Sequence, residues 1–293
     1  MDVISPGYVD TDKFERSKRI GWFNFDLITK EKVLVVGAGA LGNEVIKNLV
    51  LSGYRKISLV DMDHVVYSNL NRCVFFRESD STNKRFKAEV VAERARELDP
   101  AVKIDTYVKR IEELPEKFIY GHGIVMGCLD NIAARLHLNA HAYHKGIPYI
   151  DGATLGTIGK VQVVLPPETP CLECGMNRTH MRVLEKRFSC TGREVTFFDP
   201  KLAAEITTTS VVAAVQVREA LKLTNMQREL CVRNLFYYDA SRNVSDILEV
   251  DFNPQCPHHL EKPTIPVTLP ETLSEPKRVA APKPRSRRLV GEK

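Results

Sequence analysis

Apolar positions along this chain follow two periods in turn, and their alternation predicts the fold. Residues 32–36 (Lys-Val-Leu-Val-Val) form a β-branched run that ends at the loop Gly37-Ala38-Gly39-Ala40-Leu41-Gly42, which reads as a buried strand. Over 43–52 the spacing turns helical, with Val45, Ile46, Leu49 and Val50 in phase and Gly53 as the stop. A second strand is expected at 57–60 and a helix at 87–98, ending before Asp99-Pro100. Further strands are expected at 102–107 and 124–128, then a helix at 131–144 that closes near Gly146. The order β-α-β-α-β-β-α predicts an α/β fold with a doubly wound (Rossmann-like), mostly parallel sheet.

The second half reads differently. Residues 160–165, 234–239 and 247–251 resemble antiparallel strands that extend the sheet, with a helix across 210–223. Between about 176 and 205 there is little periodicity and much charge, the character of a functional or disordered crossover loop. Residues 1–30 hold an aromatic-basic stretch from Phe14 to Phe23, expected as a short helix beside the sheet. The organisation is then an N-terminal helical segment (1–30), one α/β domain (31–262) and a tail (263–293) whose six prolines and scattered basic residues predict disorder.

Composition narrows the class. Of 293 residues, 43% are apolar and 27% charged, as in ordinary globular proteins. No apolar run reaches the roughly 18 residues that span a bilayer, and the N-terminus lacks a basic-then-apolar signal pattern, so no membrane partner and a cytoplasmic location are expected. The net charge of +5 is concentrated in the tail, where seven Lys/Arg stand against three Asp/Glu; the body carries little net charge, and a nucleic-acid partner is not expected.

Three elements in fixed order carry the candidate chemistry. A G-x-G-x-x-G loop between strand and helix brings backbone close to phosphate at Gly39, and the helix start supplies unpaired N–H groups. Alone, Gly37, Gly39 and Gly42 with Asp61 at the end of the second strand would favour a nicotinamide or flavin enzyme, in which Asp61 binds ribose. The residues beyond Asp61 change that reading. Asn69, Asn71 and Arg72 come directly after the second strand, Lys87 opens the next helix, and Asp130 ends a later strand. A dinucleotide does not need an Arg, a Lys and a strand-end Asp together. A triphosphate with Mg²⁺ does, because its charges must be neutralised and the metal wants a hard oxygen ligand.

With the strings Asp61-Met62-Asp63 … Ser68-Asn69-Leu70-Asn71-Arg72 and Asp130-Asn131 … Arg135, the chain resembles the ubiquitin-activating (E1-like) superfamily from about residue 13 to 260. That group includes the sulfur-carrier activators of molybdopterin and thiamine synthesis and the activating subunits for ubiquitin-like modifiers. The resemblance implies an ATP-dependent adenylation domain over 31–262, acting on the C-terminal glycine of a β-grasp protein ending in Gly-Gly. It implies that Asp61 holds ribose, that Asn71, Arg72 and Lys87 hold phosphates, and that Asp130 binds Mg²⁺, with Asp63, Asn69 and Asn131 in the same motifs. Arg16 resembles the family arginine that reaches into a partner subunit's site, which implies a homodimer. Cys73 stands where the family usually has glutamine.

Seven cysteines in a chain expected in a reducing compartment suggest ligands, nucleophiles or core residues rather than disulfides. Cys171-Leu-Glu-Cys174 and Cys256-Pro-His-His259 supply two close ligand pairs, which fits a closed structural zinc site of Cys171, Cys174, Cys256 and His259. His258 is an alternative to His259 by spacing, and a redox C-x-x-C is the competing reading. Cys190 lies among polar and basic residues that expose a thiol and favour its thiolate. Cys190-Thr191 resembles the catalytic pair of enzymes that carry their cargo as a thioester, which makes Cys190 the candidate nucleophile beside Arg72 and Asp130. Cys128 and Cys231 are expected as core residues within apolar strands. His137, His141 and His144 share one helix face. With no carboxylate or cysteine at ligand spacing, that face is expected to be solvated or an interface.

The expected function is adenylation of a ubiquitin-like protein followed by thioester formation on Cys190 for an E2-like conjugating enzyme, using ATP, Mg²⁺ and Zn²⁺. The alternatives are adenylation of a sulfur carrier for sulfur transfer and a nucleotide-binding scaffold subunit without activity.

Overall fold

The run Lys32–Val36 becomes β1, the strand on which the sheet is organised. The computed structural model describes residues 12–176 and 203–259. Among these, β2 (Lys56–Val60), β3 (Lys103–Tyr107), β4 (Ile124–Gly127), β5 (Tyr149–Leu155), β6 (Ile158–Val164), β7 (Leu235–Asp239) and β8 (Val244–Leu248) complete one sheet in the order β3-β2-β1-β4-β5-β6-β7-β8. Pairings from β3 to β5 are parallel and those from β5 to β8 antiparallel. Val36 sits opposite Val60 on one side and Gly127 on the other, so β1, β2 and β4 end level. Order reverses between β1 and β4, and in open α/β sheets that reversal opens a ligand crevice at the strand C-termini.

Eight α-helices occur among the described residues: α1 (Glu15–Lys18), α2 (Phe25–Lys30), α3 (Ala40–Ser52), α4 (Glu78–Thr82), α5 (Lys87–Leu98), α6 (Glu116–Ile119), α7 (Ile132–Lys145) and α8 (Ile206–Thr224). Side chains of β1 alternate between two cores. Val33 and Val35 join Ile46 and Leu49 of α3, Val90 and Val91 of α5, and Val212 and Val217 of α8. Leu34 and Val36 join Ile119 of α6, Leu138 and Ala142 of α7, and two cysteines, Cys171 and Cys256. Burial on both faces is why this strand is continuously apolar. Each fully buried Val or Leu contributes roughly 1.5–3 kcal/mol.

Helices α1 and α2 pack where the strands begin, away from the crevice. Phe14 and Phe25 stack with ring centroids 4.4 Å apart. Phe25 lies against Gly53, just before β2, and Lys13 pairs with Asp99 at 3.0 Å, just before β3. No helix among the described residues is long and apolar enough to cross a membrane.

Four local expectations are corrected. Tyr149–Leu155 is a strand that the pattern did not predict, because Asp151-Gly152 interrupts its apolar run. Helix α8 starts at Ile206, ahead of the expected 210. Its first turn is β-branched and a poor helix former, yet Glu205 accepts the Thr207 and Thr208 N–H groups at 2.7 and 2.5 Å and caps it. Strand β8 lies at 244–248 rather than 247–251: all five of its residues are exposed, so no apolar face sets its position. The hairpin does, through Asn243 at φ +54° and Ser241 N–H bonded to Asp239 at 3.0 Å. Cys231 is buried as expected, but in the turn after Arg228–Leu230 rather than in a strand. The crossover segment at 177–202 and the tail from 260 lie outside the described residues.

Candidate functional site

The glycine loop closes over the end of β4. Gly37 has φ +101°, and a Cβ there would stand 2.4 Å from the Cys128 carbonyl oxygen; a Cβ on Gly42 would stand 1.9 Å from that of Gly37. Both glycines are therefore required by packing between β1, α3 and the chain after β4. Gly39 is different, because a Cβ there would meet nothing within 4 Å. Its face of the loop is open, with the α3 N-terminus directly beyond it, which is the shape an anionic group needs for close approach to backbone N–H donors.

Asp61, just past β2, ties itself to this loop. Its carboxylate accepts the Ala38 N–H at 2.7 Å and the Asp63 N–H at 2.8 Å. Burial raises its pKa above the ordinary aspartate range, against the opposing pull of Lys87 and the two N–H donors. Lys87, the first residue of α5, places Nζ 2.8 Å from Asp63 Oδ2, and its own N–H bonds the Asp63 carbonyl at 2.9 Å. Burial pulls the ammonium down, but Asp61 and Asp63 outweigh it, so Lys87 stays cationic at all physiological pH. Arg72 donates to the Ser68 carbonyl and to Asn71 Oδ1 at 3.1 Å. Asn69 is buried and accepts the Val66 N–H at 3.1 Å, so it shapes the turn that carries Asn71 and Arg72. Cys73 is buried beside the group, where burial pushes its thiol up to about 11 against Arg72 and Lys87 and keeps it neutral.

Asp130 is exposed past β4, on the far side of the glycine loop from Asp61. Asn131 caps α7 by accepting the Ala133 N–H at 2.9 Å, so Asp130 directly precedes the cap of that helix. Arg135 points inward. Its Nε donates to Asp151 Oδ1 at 3.0 Å and Nη2 to Oδ2, while the Tyr149 hydroxyl donates to Oδ1 at 2.7 Å. Asp151 is 2% exposed, so this bidentate pair pins the start of α7 to β5 from inside.

Two supporting residues escaped the sequence reading. Asn43, fully buried in α3, donates to the Ala38 and Gly39 carbonyls at 2.9 Å each and accepts the Phe75 N–H at 3.0 Å. Gln216 of α8 donates to the Gly127 and Ile150 carbonyls at 2.9 and 3.1 Å, holding β4 and β5 from the other layer. Gln216 has no local signal, because both its partners are set by the tertiary fold, and the same holds for the bond of Asn43 to Phe75, 32 residues away.

The four knuckle residues converge. Cys171, Cys174, Cys256 and His259 offer donor atoms that all lie within 4.8 Å of one another. Sulfur pairs stand 3.9 Å (Cys171–Cys174) and 3.5 Å (Cys171–Cys256) apart, close to the about 3.8 Å edge of a zinc tetrahedron with Zn–S near 2.3 Å. His259 Nε2 faces Cys174 Sγ at 2.9 Å and Nδ1 meets the Tyr143 hydroxyl at 2.7 Å. In the tautomer that donates from Nδ1, Nε2 carries the lone pair a metal needs. His258 turns instead to Glu173, 2.9 Å away. The donor set and its spacing fit a closed zinc site, and His259 rather than His258 belongs to it.

Arg16 sits on α1 at the opposite end of the sheet and is not brought to this chain's own crevice. Cys190 lies outside the described residues.

The description "ThiF family" matches residues 17–258, most of the chain. The chain belongs to the ThiF family. This ThiF chain is 35% identical over 185 residues to the NEDD8-activating enzyme E1 catalytic subunit of Caenorhabditis elegans, covering 57% of the chain and 42% of that protein. It is 36% identical over 157 residues to SUMO-activating enzyme subunit 2 of Dictyostelium discoideum, covering 53% and 23%. The ThiF chain thus spans less than half the length of these relatives. In structure it resembles E. coli MccB, solved with selenomethionine MccA, at a TM-score of 0.68 and 19% identity, covering 87% of this chain and 76% of that one. MccB solved with ATP aligns at a TM-score of 0.65 and 20% identity, over 80% and 68%. At such identity the likeness shows the fold: a ThiF-type, Rossmann-like sheet with antiparallel strands added.

Proposed function

We propose that this ThiF protein uses ATP to adenylate the C-terminal glycine carboxylate of a ubiquitin-like β-grasp protein. One observation supports the reading: an open glycine loop, Asp61 bonded to it through the Ala38 N–H, and Lys87 bonded to Asp63 stand at the strand ends where the sheet order reverses between β1 and β4. The similarity to NEDD8- and SUMO-activating subunits supports the same class of partner.

In this reading Asp61 accepts from the ribose hydroxyls while its bond to Ala38 keeps the loop open. The N–H groups at Gly39 and Ala40 receive phosphate oxygens. Lys87 and Arg72, beside Asn71, neutralise the chain of phosphates, and Asp130 would hold Mg²⁺, which supplies further charge neutralisation when bound. A carboxylate oxygen of the partner's terminal glycine attacks the α-phosphorus, the bond to the bridging oxygen breaks, and pyrophosphate leaves. Lys87 and Arg72 stabilise the charge that builds on the departing oxygens. The Cys190 thiolate then attacks the acyl-adenylate carbonyl, AMP leaves, and a conjugating enzyme receives the thioester. The protein works as a homodimer in which Arg16 serves the other subunit's crevice, and zinc in the knuckle locks the returning chain to α7.

Exchange of labelled pyrophosphate into ATP tests the adenylation step. The reading predicts exchange only when a Gly-Gly-ending β-grasp protein is added. A Cys190→Ala protein should keep that exchange and lose a reducible adduct with the partner. Exchange without any partner, or none with a panel of such partners, contradicts the reading; sulfur-donor-dependent thiocarboxylate formation in the Cys190→Ala protein would assign sulfur transfer instead.

A further inference from the structure

We propose that Asn139 of α7 is a positioning residue for the knuckle metal, its side-chain N–H donating to the Cys171 sulfur when that sulfur is a metal-bound thiolate. The inference rests on the zinc reading of the knuckle. Asn139 and Cys171 are both fully buried. Asn139 Oδ1 accepts the Leu172 N–H at 2.9 Å. That donor fixes which end of the amide carries oxygen, so Nδ2 takes the other side, toward Cys171. Among the described residues Nδ2 has no hydrogen-bond partner. An unpaired buried amide costs about 1–3 kcal/mol, and a neutral thiol is too weak an acceptor to offset it.

A bound dication changes that balance. Cysteines ligate as thiolates, and three thiolates around one dication leave a surplus negative charge. Cys171 and Cys256 are buried, so solvent does not spread that charge. An N–H directed at Cys171 does, and a charge-assisted bond is roughly twice as strong as a neutral one. Helix α7 supplies a second such contact from the same face. Tyr143, one turn on from Asn139, bonds His259 Nδ1 at 2.7 Å. One residue thus serves a sulfur ligand and the other the imidazole, the kind of support that orients and tunes metal ligands. Gln162 of β6 also holds the knuckle, but through its backbone: Nε2 donates to the Pro170 and Cys171 carbonyls, each at 3.3 Å.

The test uses the full chain, with its zinc content measured first; a chain that takes up no zinc refutes the knuckle itself and this proposal with it. The zinc is then exchanged for Co²⁺ or for an NMR-active cadmium isotope. In the unaltered protein a side-chain amide proton of Asn139 should show scalar coupling to cadmium across the N–H···S bond. Asn139→Leu, of similar volume, should move the thiolate-to-Co²⁺ charge-transfer band to lower energy and weaken zinc at least about tenfold in competition with a chelator. Gln162→Leu, which cuts bonds to the knuckle backbone, should leave the band in place. In a chain that does hold metal, no coupling to Asn139, an unmoved band in Asn139→Leu, or an equal shift in Gln162→Leu would each overturn the role of Asn139 and leave the knuckle standing.

Discussion

Asn43 ties α3 to the chain after β2 through Phe75: its Oδ1 accepts the Phe75 N–H at 3.0 Å while its amide nitrogen holds the carbonyls of Ala38 and Gly39. One buried side chain thus fixes the distance between the glycine loop and the segment that carries Arg72. That segment is also held from below, because Arg94 donates to the Phe75 carbonyl and pairs with buried Asp80 at 2.6 Å.

Asn43→Leu keeps the volume and removes all three side-chain bonds; the Phe75 N–H and the Ala38 carbonyl lose their partner, while the Gly39 carbonyl keeps the backbone N–H of residue 43. The expected cost is about 3 kcal/mol of stability. ATP affinity should fall with it, because loop and arginine are no longer in register. Thermal unfolding with and without ATP separates the two effects: the gain in melting temperature from ATP should shrink, beyond the fall in the baseline.

Arg135→Ala should destabilise by about 3–5 kcal/mol, since it strands the buried Asp151 carboxylate. Arg135→Lys should recover little, because an ammonium cannot reproduce the two-pronged contact. Urea unfolding measures both. A cost below about 1 kcal/mol for the alanine protein would show that the pair does not lock α7 to β5.

For the knuckle, His259→Ala should lose bound zinc and His258→Ala should keep it. Tyr143→Phe, which removes the hydroxyl behind His259, should weaken zinc about 10–100-fold. Metal content after gel filtration and competition with a chelator read these outcomes. Equal retention by the two histidine variants would contradict the assignment of His259.

Asp61 gives opposite signs for binding and stability. Its folded pKa is raised by burial, so the folded state binds its proton more readily than the unfolded chain, and this group's stabilisation is present at low pH and lost as pH rises through the folded value. Asp61→Asn should therefore be neutral to stabilising near pH 7. Nucleotide affinity should drop in the same protein. In the unaltered chain, ATP affinity should weaken on acidification at a pH above that of an ordinary aspartate. Calorimetric titration across pH checks the prediction.

Much of the fold is legible in the chain itself, and the reasons differ by element. β1 and α5 have the bounds expected of them because each has a strong period: β1 is apolar on both faces, and α5 is clearly one-sided between Lys87 and Leu98. β5 is hidden by Asp151, a buried acid that makes sense only once Arg135 is known to reach it. β8 is displaced because it has no buried face. The candidate nucleotide residues have a signal because they follow strands at short range, whereas Gln216, and Asn43 in its bond to Phe75, act on partners distant in sequence. Asn69 reads as a ligand, and its bond from the Val66 N–H also shapes the turn, which sequence alone does not show. The zinc knuckle is visible from its paired spacing, and the choice between His258 and His259 needs Tyr143 and Glu173 in place.

The central claim is that side chains at the ends of β1, β2 and β4 grip ATP so that a carboxylate can be activated. Partner-dependent exchange of pyrophosphate into ATP, measured for the unaltered chain and for Asp130→Ala, tests it most directly. The account predicts a fall of at least about 100-fold for Asp130→Ala, with the protein still folded. Exchange at an undiminished rate in Asp130→Ala would contradict it.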